Sequence, residues 1–242
     1  MTNHTVQTSP LIYARTAGVL LLIILACAIF SMMYVPSNLI VPGDATATAS
    51  NIKASESLFR VGLVGESILF LSEIVLTVML YLLLKPVSKT LSLVAAFARL
   101  AMTVMQGANL VFKFAALLLL SGAGYLAVFE PDQLHALVLL LFDAHNYGAL
   151  VWGAFFSLHC FVLGYLIFKS GYFPRVLGVL MVFAALGYLA DSFGHFLSPS
   201  YEERFAWVVS VTGFVGELPF FLWLLIKGVN VQKWNDRVAA SS

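Results

Sequence analysis

Nine ionisable side chains lie inside long apolar stretches of this chain: Glu66, Glu73, Arg99, Lys113, His145, His159, Asp191, His195 and Glu217. Charged groups are costly in hydrocarbon, so their presence there is the first pointer to function. Glu73, Arg99, His159 and Glu217 combine two carboxyls, a fixed cation and an imidazole, the groups from which acid/base sites are built. Asp191 and His195 stand four residues apart, on one helix face, where they could ligate a metal. With Glu66 and His145 from other segments they would complete a zinc or iron shell. His145 and His159 are fourteen residues apart, a spacing of about 21 Å along one helix face. With His195 as the available partner, this allows one bis-histidine haem between His145 and His195. No dense ligand motif such as HExxH accompanies these residues, so no cofactor is firmly implied. Polar types crowd most densely between Asp143 and Cys160, and Gln106 and Asn109 add hydrogen-bonding capacity near Arg99 and Lys113.

The segments that must position these groups are apolar and long. Of the 242 residues 61% are hydrophobic and 10% charged, and the mean hydropathy is +0.95. Lipid is therefore the solvent for most of the chain. Six stretches can cross about 30 Å of hydrocarbon: roughly 12–35, 61–84, 90–122, 144–169, 173–197 and 205–229. The reading is an all-α integral membrane bundle of six transmembrane helices, one domain over 1–242. Residues 1–11 and 230–242 are polar cytoplasmic tails and 12–229 is the bundle. Pro36 should end the first segment. Asp44 after Pro42 and Gly43 should cap a short interfacial helix. A second interfacial helix, from Gln133 to about Asp143, should follow Pro131, with a kink at 146–148. Glu66 and Glu73 share a helix face, and so do Arg99, Gln106 and Lys113.

Lys113 is read as a snorkelling side chain near the outer surface, and His4 and His135 as surface residues. A net charge of +1 without a basic stripe excludes a nucleic-acid partner. Cys27 and Cys160 lack CxxC spacing, which excludes a disulfide framework. Arg15, Lys85, Lys89, Lys169, Arg175, Lys227, Lys233 and Arg237 fall on one side of the six spans. Asp44, Glu56, Glu130, Asp132, Glu202 and Glu203 fall on the other. The positive-inside rule then puts both termini in the cytoplasm.

Counting 1.5 Å per residue from the basic boundary puts Glu73, Arg99, His159 and Glu217 at about 15–18 Å, near the midplane. Asp191, Glu66 and His195 come at about 24–30 Å, and Lys113, His145 and Asp143 near 36 Å or beyond. Below the midplane no ionisable group appears before the basic boundary. The pattern predicts an outward-facing polar funnel over an apolar floor. Four unpaired charges at the midplane would cost on the order of 10 kcal/mol, so Arg99 must pair with Glu73 or Glu217. The other carboxyl is then protonated or bonded to His159.

Several runs resemble a bacterial family of multi-pass membrane proteins catalogued as domain of unknown function 4386. They include Pro42-Gly43-Asp44-Ala45, Leu58-Phe59-Arg60, Asp143-Ala144-His145 and Leu158-His159-Cys160. The longest are Ser170-Gly171-Tyr172-Phe173-Pro174-Arg175-Val176-Leu177-Gly178 and Gly187-Tyr188-Leu189-Ala190-Asp191-Ser192. The resemblance implies a bacterial cytoplasmic-membrane location and one helical domain, and it supplies no activity. The Asp191 and His195 pair resembles, more distantly, the seven-span metal hydrolases of the alkaline ceramidase type. This chain departs from them by its six spans and by lacking their further histidines.

The leading functional expectation is a membrane protein whose polar funnel binds or transports a small molecule, lipid headgroup or ion, with Glu73, Arg99, His159 and Glu217 at its base. Its partners are then the lipid bilayer and a small apolar or amphipathic ligand. An intramembrane enzyme using zinc or iron near Glu66, His145, Asp191 and His195 is the second expectation. A structural or sensory bundle in which every charge is paired is the third.

Overall fold

The computed structural model describes residues 9–241, and the statements below concern those residues. Their regular structure is helical, without strands: α1 (Pro10–Ala28), a π-helical turn (Ile29–Tyr34), α2 (Val35–Leu39), α3 (Ala45–Ala54), α4 (Glu56–Leu84), α5 (Lys89–Leu120), α6 (Pro131–Ser170), α7 (Arg175–Leu197), α8 (Glu202–Ile226) and α9 (Val231–Ser241). Short 3-10 turns lie at Gly124–Leu126 and Pro199–Tyr201. A backbone in hydrocarbon must satisfy its own hydrogen bonds, and a helix does so within one segment. Six helices are long and apolar enough to span, running from 23 residues in α7 to 40 in α6. This is a multi-pass all-α membrane protein.

Two local expectations are corrected. Pro36 does not end the first span. The ladder widens into the π-helical turn just before it, and Pro36 sits in the first turn of α2, where its missing N–H is not needed. The second short helix is not a separate element, because Pro131 to Ser170 is one continuous helix. At about 60 Å it exceeds the hydrocarbon thickness, so one helix serves as both interfacial entry and span. Gly148 provides close packing: a Cβ there would fall 2.2 Å from Asn109 Oδ1. The polar C-terminal tail folds as α9. Asn230 Oδ1 accepts from Lys233 N at 3.0 Å and caps α9, whose Trp234 is buried. The helix after α2 forms as expected, with Ala47 N donating to Asp44 Oδ1 at 2.8 Å.

The helices contribute to two compact units. The first comprises Met1–Leu22, Glu73–Met102 and Gly153–Ser242, the second Ile23–Ser72 and Thr103–Trp152. In the first, α6 and α7 approach through mutual glycines. A Cβ on Gly164 would lie 2.6 Å from Gly178 O, and one on Gly178 would lie 2.5 Å from Gly164 O. Small residues let membrane helices touch backbone to backbone. Phe173 meets Phe220 edge-on at 5.8 Å, beside buried Leu166, Ile167 and Leu224. In the second unit, Val35, Leu39, Ile52, Phe59, Leu63, Leu110, Val138 and Phe142 form the core. Phe59 and Phe142 make an edge-to-face pair at 6.0 Å within it. Thr48 Oγ1 accepts from Val41 N at 3.0 Å and donates to Val41 O, tying α3 to the turn after α2.

Candidate functional site

Each unit holds a polar cluster drawn from α4, α5 and α6. In the first unit, Arg99 Nε donates to Glu73 Oε2 at 2.6 Å, with Arg99 4% and Glu73 5% exposed. Arg99 Nη1 meets His159 Nε2 at 3.0 Å. A guanidinium only donates, so Nε2 accepts and the ring proton sits on Nδ1, which donates to Ala95 O at 2.8 Å. His159 is therefore a neutral imidazole of defined tautomer. Phe156 joins this triad to a second polar pair. Its ring stacks on His159 at 5.8 Å, lies 5.6 Å from Arg99 Cζ and meets Tyr188 edge-on at 4.8 Å. Tyr188 Oη donates to Glu217 Oε1 at 2.7 Å. Arg99 thus takes Glu73 as its direct carboxylate and Glu217 takes a phenol, and all four midplane candidates fall in this one unit.

The arrangement has two carboxyls for one fixed cation. If both were ionised the cluster would carry a net negative charge in a low-dielectric setting, which is costly. Glu217 is half-buried, unlike Glu73.

In the second unit Lys113 Nζ is in hydrogen-bonding contact with Glu66 Oε1, and both residues are buried. The snorkelling reading of Lys113 is overturned, since its charge turns inward to a carboxylate on the preceding helix. Asn109 Nδ2 donates to His145 O at 2.7 Å, against the open face of Gly148. Gln106, Asn109 and Lys113 line one side of α5, all buried, and His145 on α6 is buried too. Here the polar atoms are not all satisfied. Glu66 Oε2, Gln106 Oε1, His145 Nε2 and Ser31 Oγ are buried without a hydrogen-bond partner. A crevice of about 10 Å³ is lined by Ser31, Glu66 and Lys113 together with Val35, Leu39, Phe59, Leu63 and Phe142. No atom of Glu73, Arg99 or His159 is orphaned in this way among the described residues.

The remaining candidates are dispersed. Asp143 is exposed and belongs to neither buried cluster, because its position on α6 turns it away from the face that carries His145. Asp191 and His195 pair within α7 of the first unit: His195 Nδ1 lies 2.9 Å from Asp191 O and 3.3 Å from Asp191 Oδ1. Glu66 and His145 belong to the second unit. Among the described residues no three His, Cys, Asp or Glu side chains gather in a metal-holding group. His135 is half-buried, 3.4 Å from Thr46 Oγ1, and His4 lies outside the described residues.

Sequence reasoning missed Tyr188, Phe156 and Ser31. A phenol in an apolar run needs a hydrogen-bond partner, which could have flagged Tyr188. Ser31 carries no such signal, because its position depends on the π-helical turn.

Comparison with known proteins adds the family. An uncharacterised protein of Archaeoglobus fulgidus is 30% identical to this chain over 169 residues, covering 69% of this chain and 83% of the relative. No solved structure matches. The profile described as domain of unknown function (DUF4386) matches residues 16–228, which takes in stretches of both units and both clusters. The chain belongs to the DUF4386 family of membrane proteins.

Proposed function

We propose that this is a membrane-embedded binding protein or transporter for a small molecule or ion that presents hydrogen-bond donors, received by Glu66, Gln106, His145 and Ser31 in the second unit. One observation carries the reading: four buried polar atoms on four helical segments of that unit lack partners. Each orphaned group costs about 1–3 kcal/mol, and a ligand that donates to them recovers this. Glu66 Oε2 and Gln106 Oε1 can only accept, and Ser31 Oγ and His145 Nε2 can act in either role. Glu66 and Lys113 already neutralise one another, so the ligand needs no net charge. The crevice beside them has room for about one water-sized group, which suits a hydroxyl or an ammonium. The localisation that accompanies the reading is the cytoplasmic membrane with both termini inside, as the distribution of lysine and arginine favours.

The test is thermal stability of the purified protein titrated with hydroxyl- and ammonium-bearing molecules, with glycerol, ethanolamine and ammonium as the first probes. Saturable stabilisation that disappears in Glu66→Gln supports the reading. A wild-type protein that responds to none of them, or a variant that responds equally, removes it.

A second reading rests on the two-to-one ratio of carboxyl to guanidinium in the first unit, which favours proton linkage at Glu217. The intramembrane-enzyme reading, with zinc or iron at Glu66, His145, Asp191 and His195, has less support, since no three His, Cys, Asp or Glu side chains gather among the described residues. Element analysis of protein purified without added metal separates it. Stoichiometric zinc or iron lost in an Asp191→Ala, His195→Ala double variant would put this reading first.

A further inference from the structure

The turns joining α4 to α5, α6 to α7 and α8 to α9 meet at one end of the first unit. Leu83 O, an otherwise orphaned carbonyl in the last turn of α4, accepts from Tyr172 Oη at 2.8 Å and from Trp234 Nε1 at 3.0 Å. Asn230 N donates to Tyr172 O at 3.4 Å and closes the knot. Exposed cations surround it. Lys85 and Lys89 flank the first turn and Lys169 and Arg175 the second, while Lys233 and Arg237 project from α9. Asp236 is the one carboxylate in these turns and α9.

Two features give this end a preferred partner. The apolar side of α9 is already used: Trp234 is 4% exposed, and its bond to Leu83 keeps the helix from rolling. Lys233 and Arg237, one turn apart, are therefore held outward as a pair. The cations also stand beside exposed apolar surface. Lys169 Nζ lies 5.9 Å from the Tyr165 ring and Arg175 Cζ lies 5.5 Å from the Phe168 ring, and both residues are partly exposed, Tyr165 to 47% and Phe168 to 38%. Aromatic rings of this kind mark the headgroup level of a bilayer. A ligand that meets both the cations and the rings carries a phosphate next to an acyl chain.

We propose that this end of the first unit binds the headgroups of anionic phospholipids, with Lys233 and Arg237 as its pre-oriented contact. Clustered basic residues beside a span attract anionic lipid additively, and the attraction fades within a Debye length. The site is independent of the donor-binding cluster proposed above.

The experiment is native mass spectrometry of the full chain in mild detergent offered equal phosphatidylglycerol and phosphatidylcholine. Wild type should retain phosphatidylglycerol preferentially, and a Lys233→Gln, Arg237→Gln double variant should lose about tenfold of that preference. Its melting temperature in lipid-free detergent should not change, because both side chains are exposed. As a check that needs no variant, raising salt to about 1 M should erase the wild-type preference. Equal retention of the two lipids, a preference unchanged in the double variant, or one insensitive to salt overturns the proposal. Complete displacement by soluble glycerol phosphate also overturns it, pointing to a soluble phosphate ligand.

Discussion

Arg99 faces Glu73 with Nε and His159 with Nη1, at 2.6 and 3.0 Å, so one guanidinium sets both the carboxylate's position and the tautomer of the imidazole. Removing one partner of such a buried pair strands the other charge. Arg99→Ala and Glu73→Gln should each destabilise the protein by about 3–5 kcal/mol, whereas a Glu73→Leu, Arg99→Met double variant should recover most of that loss. Thermal unfolding of the four proteins in detergent checks this. If the double variant is as unstable as the sum of the singles, the pair is not acting as a unit.

Glu217 and Tyr188 should behave as a proton-bearing pair. Infrared difference spectra between acid and neutral pH should contain a protonated-carboxyl band that vanishes in Glu217→Gln and shifts in Tyr188→Phe, where the 2.7 Å hydrogen bond is gone. A band that survives in Glu217→Gln assigns the proton elsewhere.

Gly148 should not tolerate a side chain. A methyl there would lie 2.2 Å from Asn109 Oδ1, so Gly148→Ala should cost about 1–3 kcal/mol through overpacking. Shortening the neighbour in a Gly148→Ala, Asn109→Ser double variant should restore part of it, read as melting temperature. A kink-forming glycine would show no such rescue.

Tyr172 lies in the turn between α6 and α7, and burial pushes its hydroxyl above the ordinary tyrosine range, only partly offset by the charge of Arg237. The folded chain thus holds this proton more tightly than the unfolded chain. Its contribution is complete below the unfolded value near about 10 and is lost as pH rises beyond it. Tyr172→Phe should cost about 1 kcal/mol at neutral pH, for the bond to Leu83 O, and should flatten the alkaline fall in stability. Melting curves from pH 8 to 11 would decide; identical alkaline limbs in the two proteins would contradict it.

Much of the architecture is local and could be read along the chain. A span needs only a sufficient run of apolar residues, so all six were visible, as was the Asp44 cap. Rise per residue put Glu73, Arg99, His159 and Glu217 at one common level along their segments, and the four belong to one unit. The choice of partner was not local. Whether Arg99 takes Glu73 or Glu217 depends on how helices separated by tens of residues are rotated, and linear spacing is silent on rotation. The same holds for Lys113, where an extended side chain could equally reach the headgroups or, as it does, Glu66. That Gly148 admits a neighbour, Asn109, depends likewise on how α5 and α6 face each other. Composition and periodicity set what each helix can do alone; which polar atoms are satisfied and which are left open is a property of side chains meeting across helices, and that depends on three-dimensional packing.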